Sequence, residues 1–181
     1  MASTLSVSKI QGLATAASPT TIEIASGHTL HQPGMILQVV QATQEGGPST
    51  TSNSLVATGL FKAITPKFAT SKILVHFSHA AHHNTAGHFL VTNVIRNPSS
   101  STNAGTTVSG GTALSSQNYG LAQTYAQGTA IVETQSNMIF DSPNTTSSVT
   151  YLVAFAAVSS GTSYFGNNSG TSTLTLFEVA Q

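Results

Sequence analysis

Hydrophobic and polar residues alternate along several short stretches of the chain, most clearly within residues 64–78. There Ile73, Val75 and Phe77 share one parity, and the residues between them share the other. A period of two with β-branched and aromatic residues is typical of a strand with one face on a core. Similar patterns predict strands at 35–42, 55–61, 88–96, 130–132, 136–140, 149–158 and 172–180.

The run from Val149 to Val158 is apolar on both faces and contains no charge. A strand of this kind is covered on both sides, whereas one side of each sheet in a two-layer sandwich is normally wet. The second apolar face therefore predicts a contact with another subunit. The predicted interface residues are Tyr151, Leu152, Val153, Ala154 and Phe155.

About eight short strands separated by turn signals predict an all-β fold, an antiparallel β-sandwich of the jelly-roll kind. No apolar stripe of helical period stands out, so we expect almost no helix. Residues 1–34 contain only two short extended runs, which cannot bury enough surface to stand alone. We expect residues 1–34 to form an extended β stem or attachment segment and residues 35–181 to form the sandwich head. The alternative for residues 1–34 is a β-hairpin folded onto the main domain.

Charge is unusually scarce in this chain. Charged residues make up 6% of the sequence, and five Lys and Arg balance five Asp and Glu, against ~25% charged residues in an average soluble protein. Little electrostatic repulsion opposes association, which favours a chain that assembles. The lack of a basic stripe argues against nucleic-acid binding. No stretch is apolar enough for a membrane span or a signal peptide.

Histidines cluster between His76 and His88, directly after the best strand pattern. His76 and His82 share one parity and His79 and His83 the other, so pairs of imidazoles could converge on a metal ion. The alternative is that they are neutral polar groups at an interface or in a loop. Spacing alone is a weak argument and no carboxylate lies near, so we expect no metal and no cofactor.

No catalytic constellation is recognisable, and we expect no enzymatic activity. Asp141 is the only aspartate and lies in a turn sequence, and the four glutamates are scattered, so a pair of glycosidase carboxylates is not indicated. Neutral polar loops with exposed tyrosines instead favour recognition of a glycan or another receptor. The candidate binding residues are His82, His83, Asn84, Tyr119, Tyr125 and Tyr164.

Five segments of the chain together resemble the small fibre and spike proteins, tail fibres or head fibres, of tailed bacteriophages, particularly marine and cyanobacterial ones. The segments are STLSVSKIQ (3–11), TIEIASGHTLHQPGMILQVVQ (21–41), ATGLFKAITPKFATSKILVHFS (57–78), SPNTTSSVTYLVAF (142–155) and STLTLFEVAQ (172–181). The resemblance implies a homotrimeric virion component with a β-sandwich head. It also implies that residues 1–34 attach it to other virion proteins.

Three functions stay open at this point. The first is a phage fibre on the tail or capsid surface whose head meets a host-surface glycan or receptor. The second is a decoration protein that clamps capsid subunits. The third is a secreted carbohydrate-binding module, which the missing signal peptide disfavours.

Overall fold

Eleven β-strands and no helix make up the residues that the computed structural model describes, which are 30–128, 131–166 and 170–181. The compact unit comprises Gln32–Gln181. The predicted stem lies almost entirely outside the described residues and stays a prediction. The strands are β1 (Ile36–Glu45), β2 (Ser49–Thr50), β3 (Val56–Ile64), β4 (Lys72–His83), β5 (Phe89–Arg96), β6 (Thr112–Ala113), β7 (Ala122–Tyr125), β8 (Ile131–Asp141), β9 (Val149–Val158), β10 (Ser163–Phe165) and β11 (Thr171–Val179).

Two antiparallel sheets form a β-sandwich, as the alternation predicted. The first sheet has the order β1-β11-β4-β8, with β10 and β2 continuing beside the far end of β4. The second has the order β3-β9-β5, followed by β6 and β7 along the free edge of β5. The eight longest strands thus form two four-stranded sheets, β1-β11-β4-β8 and β3-β9-β5-β7, which is the strand order of a jelly roll. Consecutive strands of this set switch sheets at every step except from β5 to β7.

The core lies between the two sheets and is apolar over most of its extent. Ile73, Val75 and Phe77 of β4 face into it, as predicted, and each is at most 1% exposed. The remaining fully described core residues come mainly from the facing strands of both sheets: Val56, Leu60, Ile64, Leu90, Val94, Val149, Tyr151, Val153, Phe155, Phe165, Leu174 and Leu176.

Strand β4 begins at Lys72, later than the predicted residue 64, because the segment before it is held by other partners. Pro66 has no N–H to donate to a ladder. The backbone N–H groups of Lys67 and Phe68 donate to the Glu178 carboxylate at 2.7 and 3.3 Å. Glu178 itself is fully buried. A strand that continued through this segment would leave that carboxylate without these donors.

Strand β9 has the predicted bounds, and both of its faces are buried within one chain. The five predicted interface residues, Tyr151 to Phe155, are each 0% exposed. The chain itself covers the outer side: the segment after β5 reaches the edge of β3, where Ala57 N–H donates to Thr106 O, and returns to pair with β5 as β6. These five side chains have no surface to offer a partner, so β9 supplies no argument for subunit contact.

Strand β8 is a single strand where the sequence predicted two short ones, and its polarity is partly inverted. Gln135, Asn137 and Asp141 face inward beside Ile139, which packs against the core, whereas Met138 and Phe140 face outward. The inward polar groups are hydrogen-bonded: Gln135 Nε2 donates to Thr124 Oγ1 and Asn137 Nδ2 donates to Leu121 O. Asp141, which the sequence placed in a turn, instead binds side chains of the second sheet.

Asp141 ties the two sheets together at one end of the sandwich. Arg96 Nη1 donates to both carboxylate oxygens at 2.7 and 2.8 Å, and Tyr151 Oη donates to Oδ2 at 2.7 Å. Burial raises the pKa of Tyr151, and the Asp141 carboxylate raises it further. The Tyr151 hydroxyl therefore keeps its proton and donates a hydrogen bond to the Asp141 carboxylate. The ion pair between Arg96 and Asp141 joins β8 to the second sheet.

Candidate binding site

The loops after β4 and after β9 meet at one end of the sandwich. Asn84 Oδ1 accepts from Thr162 N–H at 2.7 Å, and Asn84 N–H donates to Thr162 O at 3.1 Å. Gly161 has φ +84, and a Cβ there would lie 2.2 Å from Thr85 Oγ1. The side chain of Asn84, a predicted binding residue, therefore holds the neighbouring loop in place through Thr162.

Four histidines of the cluster, His76, His79, His82 and His83, lie within β4, whereas His88 directly precedes β5. Those in β4 separate by parity as the sequence predicted. His79 and His83 are buried in the sandwich, whereas His76 and His82 face outward. Burial lowers the pKa of His83, and the nearby His88 and His82 lower it further. Thr85 N–H donates to His83 Nδ1, so that nitrogen carries no proton in the neutral ring.

A metal site does not assemble from these side chains. The rings of His83 and His88 stack at 5.9 Å, and that of His82 stacks on Tyr164 at 4.9 Å. Among residues 30–128, 131–166 and 170–181, no group of three or more His, Asp or Glu has an arrangement that could hold a metal ion. The cluster therefore packs as aromatic rings.

His79 belongs to a polar chain that crosses the core. Its Nδ1 lies 2.9 Å from Ala80 O, and its Nε2 lies 3.1 Å from Thr92 Oγ1, which also contacts Gln135. Its ring stacks on Phe165 at 4.3 Å. Burial lowers the pKa of His79 to about 4. His79 is therefore a neutral core residue at pH 7.

Two of the predicted tyrosines come together on the second sheet. Tyr119 and Tyr125 flank Phe89, with ring centroids at 5.1 and 4.8 Å. They are 47% and 46% exposed, so each keeps free ring surface. We call these three residues the aromatic ledge. Tyr164 lies instead on the first sheet, beside His82.

A cavity of about 100 Å³ opens beside the aromatic ledge. Its floor is the outward face of β5 and β9, including Val91, Ala156 and Val158. Its polar lining residues are Asn53, Asn93, Gln117 and Asn118, and no charged side chain of the described residues lines it. The amide of Asn93 is already hydrogen-bonded to the backbone of Ser115 and Val94.

Gly120 allows the loop that forms one wall of this cavity to lie against β5. It has φ +64, and a Cβ there would lie 2.4 Å from Thr92 O, so only glycine allows the loop to rest directly on β5. Gly120 N–H donates to Gln117 O at 2.9 Å, and Leu121 N–H donates to Thr92 O at 2.8 Å. Sequence reasoning missed the cavity, although the Asn-Tyr-Gly triplet at 118–120 is a turn signal.

The outer face of the first sheet carries a second feature, a row of apolar side chains that crosses four strands. Val39 of β1 pairs with Phe177 of β11, Phe177 with Leu74 of β4, and Leu74 with Phe140 of β8. Met138 lies two residues along β8 on the same face. We call these five residues the apolar patch. Val39, Met138 and Phe140 are 52%, 61% and 56% exposed.

Comparison with known proteins assigns no family to this chain. No family model and no curated protein matches it. One matching solved structure is the crystal structure of the infectious bursal disease virus VP2 subviral particle, with 12% identity and a TM-score of 0.33. The match covers 95% of this chain and 42% of that one. A likeness at this TM-score supports no functional conclusion, so function is argued from the chain's own residues.

Within residues 30–128, 131–166 and 170–181, no helix is long and apolar enough to cross a membrane.

Proposed function

We propose that this chain is a non-enzymatic structural protein of a tailed-phage virion, a homotrimeric fibre on the tail or capsid surface. Its sandwich head meets a host-surface glycan, and residues 1–34 attach it to other virion proteins. The sequence resemblance to phage fibres supports the class of protein. The scarcity of charge supports assembly.

The observation that carries the proposal is the partly inverted polarity of β8. A strand at the edge of a sandwich normally turns its apolar residues inward. Here Met138 and Phe140 face outward, while Gln135, Asn137 and Asp141 take three of the inward positions and only Ile139 packs its apolar side chain on the core from the second half of the strand. Outward apolar side chains gathered in one patch mark an interaction site. The apolar patch replaces β9 as the proposed contact between copies.

The outer face of the first sheet is large enough for that contact. Four strands spaced ~4.8 Å apart, the longest with 12 residues at ~3.4 Å each, span roughly 19 by 40 Å. That is on the order of 700 Å², close to the ~800 Å² that each partner buries in a stable interface. Its uncharged centre suits contact between copies of the same chain around a threefold axis, because no like charges are brought together there.

Native mass spectrometry of the purified 181-residue chain tests this proposal. We expect a species of three chains, each of 18.5 kDa, that persists on dilution into the low micromolar range. A species of one chain at every concentration would contradict the proposal.

A further inference from the structure

We propose that the cavity beside Gly120 and the aromatic ledge together bind the terminal residue of a neutral glycan, a hexose or an N-acetylhexosamine. The sugar ring lies on Tyr119, and its hydroxymethyl or acetamido arm enters the cavity. This inference rests on the proposed function in host-surface recognition and names the site and the class of ligand.

The lining chemistry matches a sugar arm. Asn and Gln amides each offer donors and an acceptor, so they pair with hydroxyl or acetamido groups in either sense. The side chains of Gln117 and Asn118 are exposed and take part in no hydrogen bond within the described residues. Val91 and Val158 provide the apolar floor that a C–H face contacts. Apolar walls with a few convergent polar groups are typical of small-molecule sites.

The size of the cavity limits what enters it. Its volume of about 100 Å³ is small against the ~300–1,000 Å³ of pockets that enclose a whole ligand. A hydroxymethyl or acetamido group is therefore a better match to this space than an entire sugar. Tyr119 packs on Phe89, which pairs with the lining residue Val158, so we place the sugar ring outside the cavity on Tyr119. Its exposed face provides an amphipathic platform for the ring.

The absence of charged side chains among the described residues around the cavity favours neutral sugars. No Lys or Arg among the described residues lines the cavity, so a sialic acid carboxylate or a phosphate would find no ion-pair partner there. The surrounding amide and tyrosine groups hydrogen-bond equally well to uncharged hydroxyls. We therefore expect neutral terminal sugars to bind and acidic ones to be rejected.

Saturation-transfer NMR on the full chain tests the inference, with the methyl glycosides of glucose, galactose and N-acetylglucosamine and with free sialic acid as probes. We expect at least one neutral probe to bind with a dissociation constant on the order of 1 mM, with the arm protons receiving most saturation. Sialic acid should bind at least about tenfold more weakly.

Three variants locate the site. Tyr119→Ala should weaken binding at least about tenfold by removing the platform, and Gln117→Ala about threefold by removing a hydrogen-bonding amide. Tyr164→Ala is the matched control, because Tyr164 packs on His82 of the other sheet. It should leave the dissociation constant within about twofold.

Other outcomes overturn the inference or separate it from the proposed function. Binding that is unchanged by Tyr119→Ala and Gln117→Ala, or lost equally with Tyr164→Ala, would place the site elsewhere. Preferred binding of sialic acid would contradict the assigned ligand class. If no neutral probe binds at about 20 mM while native mass spectrometry finds three chains, the sugar site is refuted and the assembly stands. If the chain is single yet binds sugar through Tyr119, the proposed function fails and the site stands.

Discussion

The double variant Met138→Glu/Phe140→Glu is expected to be a folded single chain under conditions in which the natural sequence is a trimer. Both side chains are more than half exposed in one chain, so glutamate at these positions removes nothing from the core. In the proposed trimer the same positions are covered. Burying a large apolar side chain contributes about 1.5–3 kcal/mol, and burying an unpaired carboxylate opposes association by several kcal/mol.

The expected weakening of association is at least about 3 kcal/mol per chain, or more than a hundredfold in the dissociation constant. Sedimentation velocity over a range of concentrations measures it, with circular dichroism to verify the fold. Ala113→Glu/Ser116→Glu is the matched control, since it adds two carboxylates at exposed positions beside the second sheet. The control should remain trimeric. A double variant at Met138 and Phe140 that still sediments as a trimer would show that the apolar patch is not the contact.

Lowering the pH from 7 to 5 is expected to reduce the free energy of unfolding by on the order of 2 kcal/mol through His79 alone. The pKa of this residue is 6.5 without the fold and about 4 within it, because burial disfavours the imidazolium. Between these values the unfolded chain binds more protons than the folded chain. Stability is therefore fully present above pH 6.5 and falls as the pH is lowered toward 4.

Urea titrations at pH 7, 6 and 5 and one protein concentration measure this loss. In the His79→Gln variant the difference between pH 7 and pH 5 should shrink by about 2 kcal/mol, whatever the variant's stability at pH 7. His31→Gln, altered outside the strands, controls for the loss of an imidazole as such. Parallel curves for the natural sequence and His79→Gln would show that His79 is not a buried neutral group. His83, whose pKa is also lowered, adds a loss of the same sign.

A strand with one apolar face could be predicted from the sequence, because its alternation follows the burial of that face in the core. β4 is the clear case, and the parity of its histidines followed from the same period. The bounds of β9 were predicted from its continuous apolar run instead. The limits of β4 could not be read, since they depend on Glu178, a residue over a hundred positions away that holds the Lys67 N–H. Non-local hydrogen bonds leave no periodic signal.

The burial of the outer face of β9 by another segment of the same chain could not be predicted, because that segment has the sequence of an exposed loop. Residues 99–111 are rich in Ser, Thr and Gly, yet backbone hydrogen bonds such as Val108 N–H to Leu55 O fix part of this segment along β3. The sequence placed the surplus apolar surface on β9, whereas in one chain β9 is buried and the exposed apolar side chains Met138 and Phe140 lie on β8. The period of β8 permits either face to point inward, and only the partners of Gln135 and Asp141 decide which one does.

Part of the binding site was predictable from residue type and part was not. Tyr119 and Tyr125 were candidates because exposed tyrosines near turns suit recognition, and the fold brings them to one ledge around Phe89. His83 and Asn84 were also candidates, but His83 is buried and Asn84 fastens a loop. The cavity depends on strands β5 and β9 and on the approach of Gly120, which no local pattern encodes.

Oxidation of Met138 by dilute peroxide tests most directly whether identical copies cover the first sheet. The side chain is 61% exposed in one chain, and an exposed methionine is readily converted to the sulfoxide. In the assembled protein we expect Met138 to oxidise at least about tenfold more slowly than in a dissociated Val39→Glu/Phe140→Glu variant, as read by peptide mass spectrometry. Equal oxidation rates in the two proteins would mean that the apolar patch stays open to water, and the account would be wrong.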